Sequence, residues 1–301
     1  MRYLFPLICL GFILNSSPVF AQHPNSNIYL FQLEWEGNKV RLTDPRFLTD
    51  FNSNGYNNQP SFISNEELYI SVRKPQENAQ TDLYSMNLEN GMLTQLTDTP
   101  ESEYSPMLTP DFYYFSAIRV EGSSNQTQRL WRFPVDRLDE GEPVFPRIRN
   151  LGYYFWINKE EVLLYIVDTP NKLILANAKD QSSRPIAENI GRCFQRLPNG
   201  NIAFVLKESP QKWLISELNL RTLQYSTLTE TQKGSEDFSV LRDGTLLTGK
   251  GSKLYMTNPY RQPANGEVAG WVEIADLRNY DIKEISRLAV SWDNKLVVVG
   301  Q

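Results

Sequence analysis

Residues 82–115 read DLYSMNLENGMLTQLTDTPESEYSPMLTPDFYYF, and the pattern of this stretch recurs along the chain. Leu83-Tyr84-Ser85-Met86-Asn87-Leu88 alternates apolar and polar residues, as a half-buried strand does. Glu89-Asn90-Gly91 is a turn, and Met92 to Thr97 is a second strand. Asp98 to Glu103 is a polar loop. Ser105 to Thr109 opens a third strand, Pro110-Asp111 turns it, and Tyr113 to Ile118 returns. Strand, tight turn, strand, longer loop, strand, tight turn, strand is the grammar of antiparallel sheet.

The tight turn before an apolar strand recurs in weaker forms. It is Ser64-Asn65-Glu66-Glu67 before Leu68 to Val72, and Asn158-Lys159-Glu160-Glu161 before Val162 to Tyr165. It returns as Leu197-Pro198-Asn199-Gly200, Leu241-Arg242-Asp243-Gly244 and Ser291-Trp292-Asp293-Asn294. With Thr109-Pro110-Asp111-Phe112 the turns start at 64, 109, 158, 197, 241 and 291, a spacing of about 40 to 50 residues. Six copies at that period predict an all-β chain folded as a six-bladed β-propeller, four strands to a blade. A second signal, out of phase with the first, marks the third strands: Leu83-Tyr84, Leu130-Trp131, Leu173-Ile174, Trp213-Leu214-Ile215, Leu254-Tyr255 and Ile28-Tyr29-Leu30.

The phase of the two signals decides how the ring closes. The chain ends on the second strand of a blade, at Val299-Gly300, and the fold begins on a third strand near Asn27. The two ends then complete one blade together, two strands each. That pairs the edges an open ring would leave bare. The predicted blades are Gln59 to Thr97, Tyr104 to Phe145, Gly152 to Glu188, Arg192 to Leu228 and Asp237 to Ile274. Ile285 to Gly300 with Asn27 to Phe47 makes the sixth. No Pro/Ser-rich linker divides the chain, so residues 22–301 are expected to form one domain.

The stretch Glu103-Tyr104-Ser105-Pro106-Met107-Leu108-Thr109-Pro110-Asp111, followed by Phe115-Ser116, resembles the WD-like repeat of TolB-type periplasmic propellers. Leu83 to Thr97, ending Gln95-Leu96-Thr97, is similar to the other half of that repeat. Leu42-Thr43 and Leu228-Thr229 echo its ending. The match covers most of the chain by period and is close within residues 28–131. The resemblance implies six blades. The repeat is structural, so the resemblance transfers no site residues and no partner.

Residues 1–21 read as a secretory signal peptide, with Arg2 as its basic start, Leu4 to Leu14 as its apolar run and a cleavage point after Ala21. The run is too short for a membrane span. A secreted or periplasmic protein is expected, bacterial in character. Asn125-Gln126-Thr127 matches a glycosylation sequon, relevant in a eukaryotic secretory pathway. The 301 residues carry 30 basic and 35 acidic side chains, a net charge of −5. Cleavage removes Arg2 and makes the remainder one unit more negative, which argues against nucleic acid. Cleavage also removes Cys9 and leaves Cys193 alone, so no internal disulfide can form.

The chemistry is mostly exclusion. The single His is His23, beside the cleavage point, so Ser-His-acid and Cys-His nucleophile systems are excluded, and so is zinc of the Cys/His type. No Gly-rich phosphate loop has a standard spacing. Gly249-Lys250-Gly251-Ser252-Lys253 reads as a hairpin loop, because no helix follows it. No metal and no cofactor are expected. Glu101, Glu103, Glu236 and Asp237 fall in blade-to-blade loops, which ring one mouth of a propeller. They could form a glycosidase pair or a calcium site, and as solvated loop acids they need neither.

One pattern points to a binding face. Second strands end at Arg73, Lys74, Arg119, Lys207 and Lys250, and the loops at the same mouth bring Tyr56, Tyr104, Tyr153, Arg192 and Tyr280. With Glu103 and Asp237, this face would be aromatic and charged. Tyr and Arg dominate protein-binding hot spots, so a protein or peptide partner is expected, with the chain as a monomer or as a subunit of an envelope complex. The plainer alternative pairs each strand-end cation with a neighbouring loop acid. Trp131, Trp156 and Trp213 are expected to pack between blades.

Overall fold

The computed structural model describes residues 24–37, 39–76, 79–122, 127–261 and 270–301. The signal-peptide stretch, with Cys9 and His23, lies outside the described residues, as do Asn125 and Gln126 of the sequon.

Six four-stranded antiparallel sheets make up the ring. Blade 1 runs outward from the axis as Tyr56–Phe62, Glu67–Arg73, Asp82–Asn87 and Leu93–Gln95. Blade 2 is Ser102–Leu108, Tyr114–Glu121, Thr127–Pro134 and the two-residue Glu142–Pro143. Blade 3 is Leu151–Trp156, Glu161–Ile166, Lys172–Asn177 and Ser183–Glu188. Blade 4 is Ile190–Arg196, Ile202–Ser209, Lys212–Leu218 and Tyr225–Glu230. Blade 5 is Phe238–Val240, Leu246–Lys250, Lys253–Thr257 and Val272–Asp276. Blade 6 takes Ile285–Val290 and Lys295–Gly300 from one end of the chain, and Asn27–Glu36 and Lys39–Phe47 from the other.

Blade 6 closes as the phase of the repeat requires. Ile28 pairs with Val299, Leu30 with Val297 and Gln32 with Lys295. Ser26 adds a parallel bridge to Tyr56 of blade 1, which ties the clasp to its neighbour.

The strand alternation explains the packing. Each sheet is buried on both faces, so the second strands read as nearly unbroken apolar runs. Val297 and Val299 face blade 1, where they meet Leu68, Ile70 and Val72. Leu296 and Val298, one step along, face blade 5 and meet Leu247 and Leu254. Ile202 and Phe204 pack toward blade 3, while Ala203 and Val205 pack toward blade 5. Each gap between blades has its own apolar cluster. Each buried Leu, Ile or Val contributes about 1.5–3 kcal/mol by leaving water. Trp156 lies in the cluster between blades 2 and 3, and Trp131 and Trp213 pack on the edges of theirs.

The turns at the opposite end from the blade-to-blade loops are closed by their own side chains. Asn87 accepts from the backbone N–H of Glu89 and Asn90, and Asn158, Asn177 and Asn219 repeat the arrangement. An amide at that place supplies acceptors a tight turn would otherwise lack.

The inner strands are irregular beside the axis. Register shifts fall at Asn58/Ser61, Tyr104/Met107, Leu151/Tyr153, Ile190/Phe194 and Ile285/Arg287. A bulge re-aims the side chains beside it. Here bulges on blades 1, 2, 3, 4 and 6 fall beside the residues that line the axis.

Candidate functional site

The upper mouth is the end where the blade-to-blade loops emerge. It opens as a basin of about 1900 Å³. A smaller space of about 340 Å³ lies along the axis beneath it. Gln59, Tyr153, Arg192, Asp237 and Arg287 line both, so these residues form the floor of the one and the roof of the other.

Arg287 is the centre of that floor. It stands on the inner strand of blade 6 and spends all three guanidinium nitrogens. Nε donates to Asn58 Oδ1 on blade 1 at 3.0 Å, and Nη1 to Asp237 Oδ2 on blade 5 at 3.1 Å. Nη2 reaches across the axis to Tyr153 Oη on blade 3 at 3.0 Å. One side chain thus links its two neighbouring blades and the blade opposite. Burial alone would lower the pKa of Arg287, but Tyr153 and Asp237 more than reverse this and hold it above the ordinary arginine value. The other oxygen of Asp237 accepts from the Leu288 N–H at 2.9 Å. Burial pushes the Asp237 carboxyl up, against the pull of Arg287 and Arg192.

Of the ten residues expected on the binding face, the structure gathers six around the basin: Tyr56, Arg73, Tyr104, Arg192, Asp237 and Lys250. Tyr56 and Tyr104 meet edge to face with ring centroids 6.5 Å apart. Burial raises the Tyr56 hydroxyl above its ordinary value. Among the described residues, Arg73, Arg192 and Lys250 take part in no ion pair. Lys233, in the loop entering blade 5, joins them at the rim and was not anticipated.

The other four lie elsewhere. Glu103 is 0% exposed and Arg119 is 7% exposed, and Arg119 Nε donates to Glu103 Oε1 at 2.9 Å. The guanidinium sits 4.1 Å from the centre of the Trp131 ring, and Thr99 Oγ1 donates to the same Glu103 oxygen at 2.6 Å. Neither residue reaches the surface. Lys207 donates to Glu236 Oε1 at 2.6 Å and lies over the Trp213 ring. Arg119 and Lys207 therefore do what the plainer alternative describes, a strand-end cation meeting a loop acid. Tyr280 packs edge-on against Phe31, 5.0 Å between centroids, because residues 278–280 form a 3-10 turn before the inner strand of blade 6 begins. Gly249 to Lys253 is the expected hairpin, with Gly249 and Lys250 paired to Leu254 and Lys253.

The sequence reading missed Arg287 and Asn58. Arg287 lies near the start of its blade's inner strand, as Arg192 does in blade 4 and as Asp237 does just ahead of that strand in blade 5, so the period alone could have pointed to it. Among the described residues no group of three His, Cys, Asp or Glu could hold a metal ion, and no helix is long and apolar enough to cross a membrane.

No family model and no curated protein sequence matches the chain. Solved structures do. A protein of Agrobacterium tumefaciens assigned as TolB superposes with a TM-score of 0.63 at 10% identity, over 92% of this chain and 98% of that one. TolB of Acinetobacter baumannii gives 0.57 at 11%, over 91% of this chain and 80% of that one. A chain assigned as a gluconolactonase gives 0.57 at 12%, over 85% and 91%. The identities are low enough that each likeness speaks of backbone alone. The chain therefore has the six-bladed β-propeller fold that TolB proteins share, with a mouth composed of its own residues.

Proposed function

We propose that this chain is a binding module of the cell envelope or its exterior, engaging a protein or peptide partner at the upper mouth. The supporting observation is the rim. Arg73, Lys233 and Lys250 line an open basin and form no ion pair among the described residues; Arg73 pairs with Tyr56, whose ring meets Tyr104, and the same basin holds both rings. Cations without an ion pair and tyrosine rings in one basin suit a partner that brings carboxylates and apolar groups to it. The fold shared with TolB proteins is consistent with this reading. Reversing charge with Arg73→Glu and Lys250→Glu should abolish recovery of the partner from a crosslinked envelope extract. Recovery equal to the parent would remove this face from consideration.

A second reading is a small-ligand or glycan-active propeller. Its support is the volume of the basin and the carboxyl of Asp237 in its floor, in a fold that a chain assigned as a gluconolactonase shares. A panel of glycosides and lactones assayed with the parent and with Asp237→Asn tests it. No turnover by the parent ends it.

A further inference from the structure

Two arginines stand in the floor of the basin, and they are used differently. Arg287 has an acceptor on each of its three guanidinium nitrogens. Arg192, on the inner strand of blade 4, has one long bond, from Nη2 to the Ser286 carbonyl at 3.3 Å. Its Nε is buried and meets no hydrogen-bond acceptor among the described residues. The acids nearest to it are already occupied. Glu236 gives Oε1 to Lys207 and Oε2 to the Arg192 backbone N–H. Asp237 gives its oxygens to Arg287 and to the Leu288 N–H. Among the described residues no carboxylate lies within ion-pair distance of the Arg192 guanidinium.

A half-buried guanidinium without an ion-pair partner is costly, and a planar fork of donors is shaped for one class of group. Two parallel N–H···O bonds to a carboxylate are the natural complement. The surroundings favour the same charge. Arg73, Lys233 and Lys250 line the same basin without an ion pair among the described residues, against Glu101 and Glu284, while Glu236 and Asp237 are held by Lys207 and Arg287. Tyr56 and Tyr153 line the basin with Arg192, which gives the ligand rings to lie against.

We propose that Arg192 anchors an anion subsite in the floor of the basin that takes the carboxylate of a small organic acid. The subsite is independent of whether a protein docks on the rim above it. Titration calorimetry at constant ionic strength and pH 7, with acetate, succinate and D-glucuronate as probes and inorganic phosphate and D-glucose as comparators, tests this. At least one carboxylate should saturate the parent, D-glucose should not, and phosphate should bind more weakly. Arg192→Met should weaken carboxylate binding by about 10- to 100-fold. Arg192→Lys keeps the charge but loses the fork and should retain part of the affinity, with far-UV circular dichroism establishing that each variant is folded. No saturation of the parent by any of the three acids overturns the proposal. Undiminished binding by folded Arg192→Met overturns it as well, and phosphate binding as tightly as the acids overturns the carboxylate assignment. Partner recovery is scored separately on the Arg73→Glu, Lys250→Glu protein, so failure of the docking face and failure of the subsite give different patterns.

Discussion

Arg287 couples three blades through one planar group, and its removal has a definite sign. Arg287→Met leaves Asp237 buried without its cation, which should cost about 3–5 kcal/mol in urea unfolding. Replacing Asp237 by Asn in the same protein should return much of that loss, because the uncompensated charge is what costs most. Unfolding midpoints of the two single variants and the double variant check it; strict additivity would contradict the coupling. Asp82 makes a second residue-scale prediction. Burial, then the charges of Glu103 and Asp98, push its carboxyl up to about 7, with Lys74 opposing. The folded state therefore holds this proton more tightly than the unfolded chain, whose value is near 3.8. The contribution is fully present below about pH 4, is lost as pH rises to about 7, and is level above that. Allowing for the partial exposure of Asp82, the change is about 1–2 kcal/mol. Asp82→Asn should flatten this slope and raise the melting temperature at pH 8. An unaltered pH profile would show that Asp82 does not set it. The partners of Arg287 and the burial of Asp82 were not legible in the sequence, since they come from distant segments: Tyr153 lies 134 residues from Arg287.

Blades were far more legible than the residues between them. A turn, an alternating strand and a polar loop are local patterns, and they place every blade close to where the structure has it. The bulges were not legible, because one extra residue in an inner strand leaves no mark on composition. The loop acids show the same limit. Glu103 and Glu101 are two residues apart, yet Glu103 turns inward to Arg119 while Glu101 lines the basin. Gly249 illustrates what close approach of two blades demands. A Cβ there would come 2.3 Å from Ile285 Cγ2 on blade 6. Gly249→Ala should destabilise by about 1–3 kcal/mol, as overpacking does. Thermal melts check it, and Ile285→Ala in the same protein should relieve part of the penalty.

The ring as a whole depends on its shared blade. Deleting residues 291–301 removes the strand Lys295–Gly300 and uncovers Ile28 and Leu30 on one side and Ile70 and Leu247 beyond it. That protein should show no cooperative melt and should run as aggregate in size exclusion, whereas a native elution volume would contradict the clasp. Closure was readable in advance because the two hydrophobic signals differ in phase, so the missing strands at one end equal the surplus at the other. The contents of the mouth were not, because a propeller's period is set by packing and places no constraint on what its loops carry. Asn27 and Gly300 lie side by side in one ladder. A short linker could therefore weld Gln301 to Pro24, and a new start could be cut at the Ser209-Pro210-Gln211 hairpin without disturbing any wedge. The polypeptide's starting point is, for this architecture, a matter of bookbinding: the pages can be stitched at a different spine and still open to the same volume.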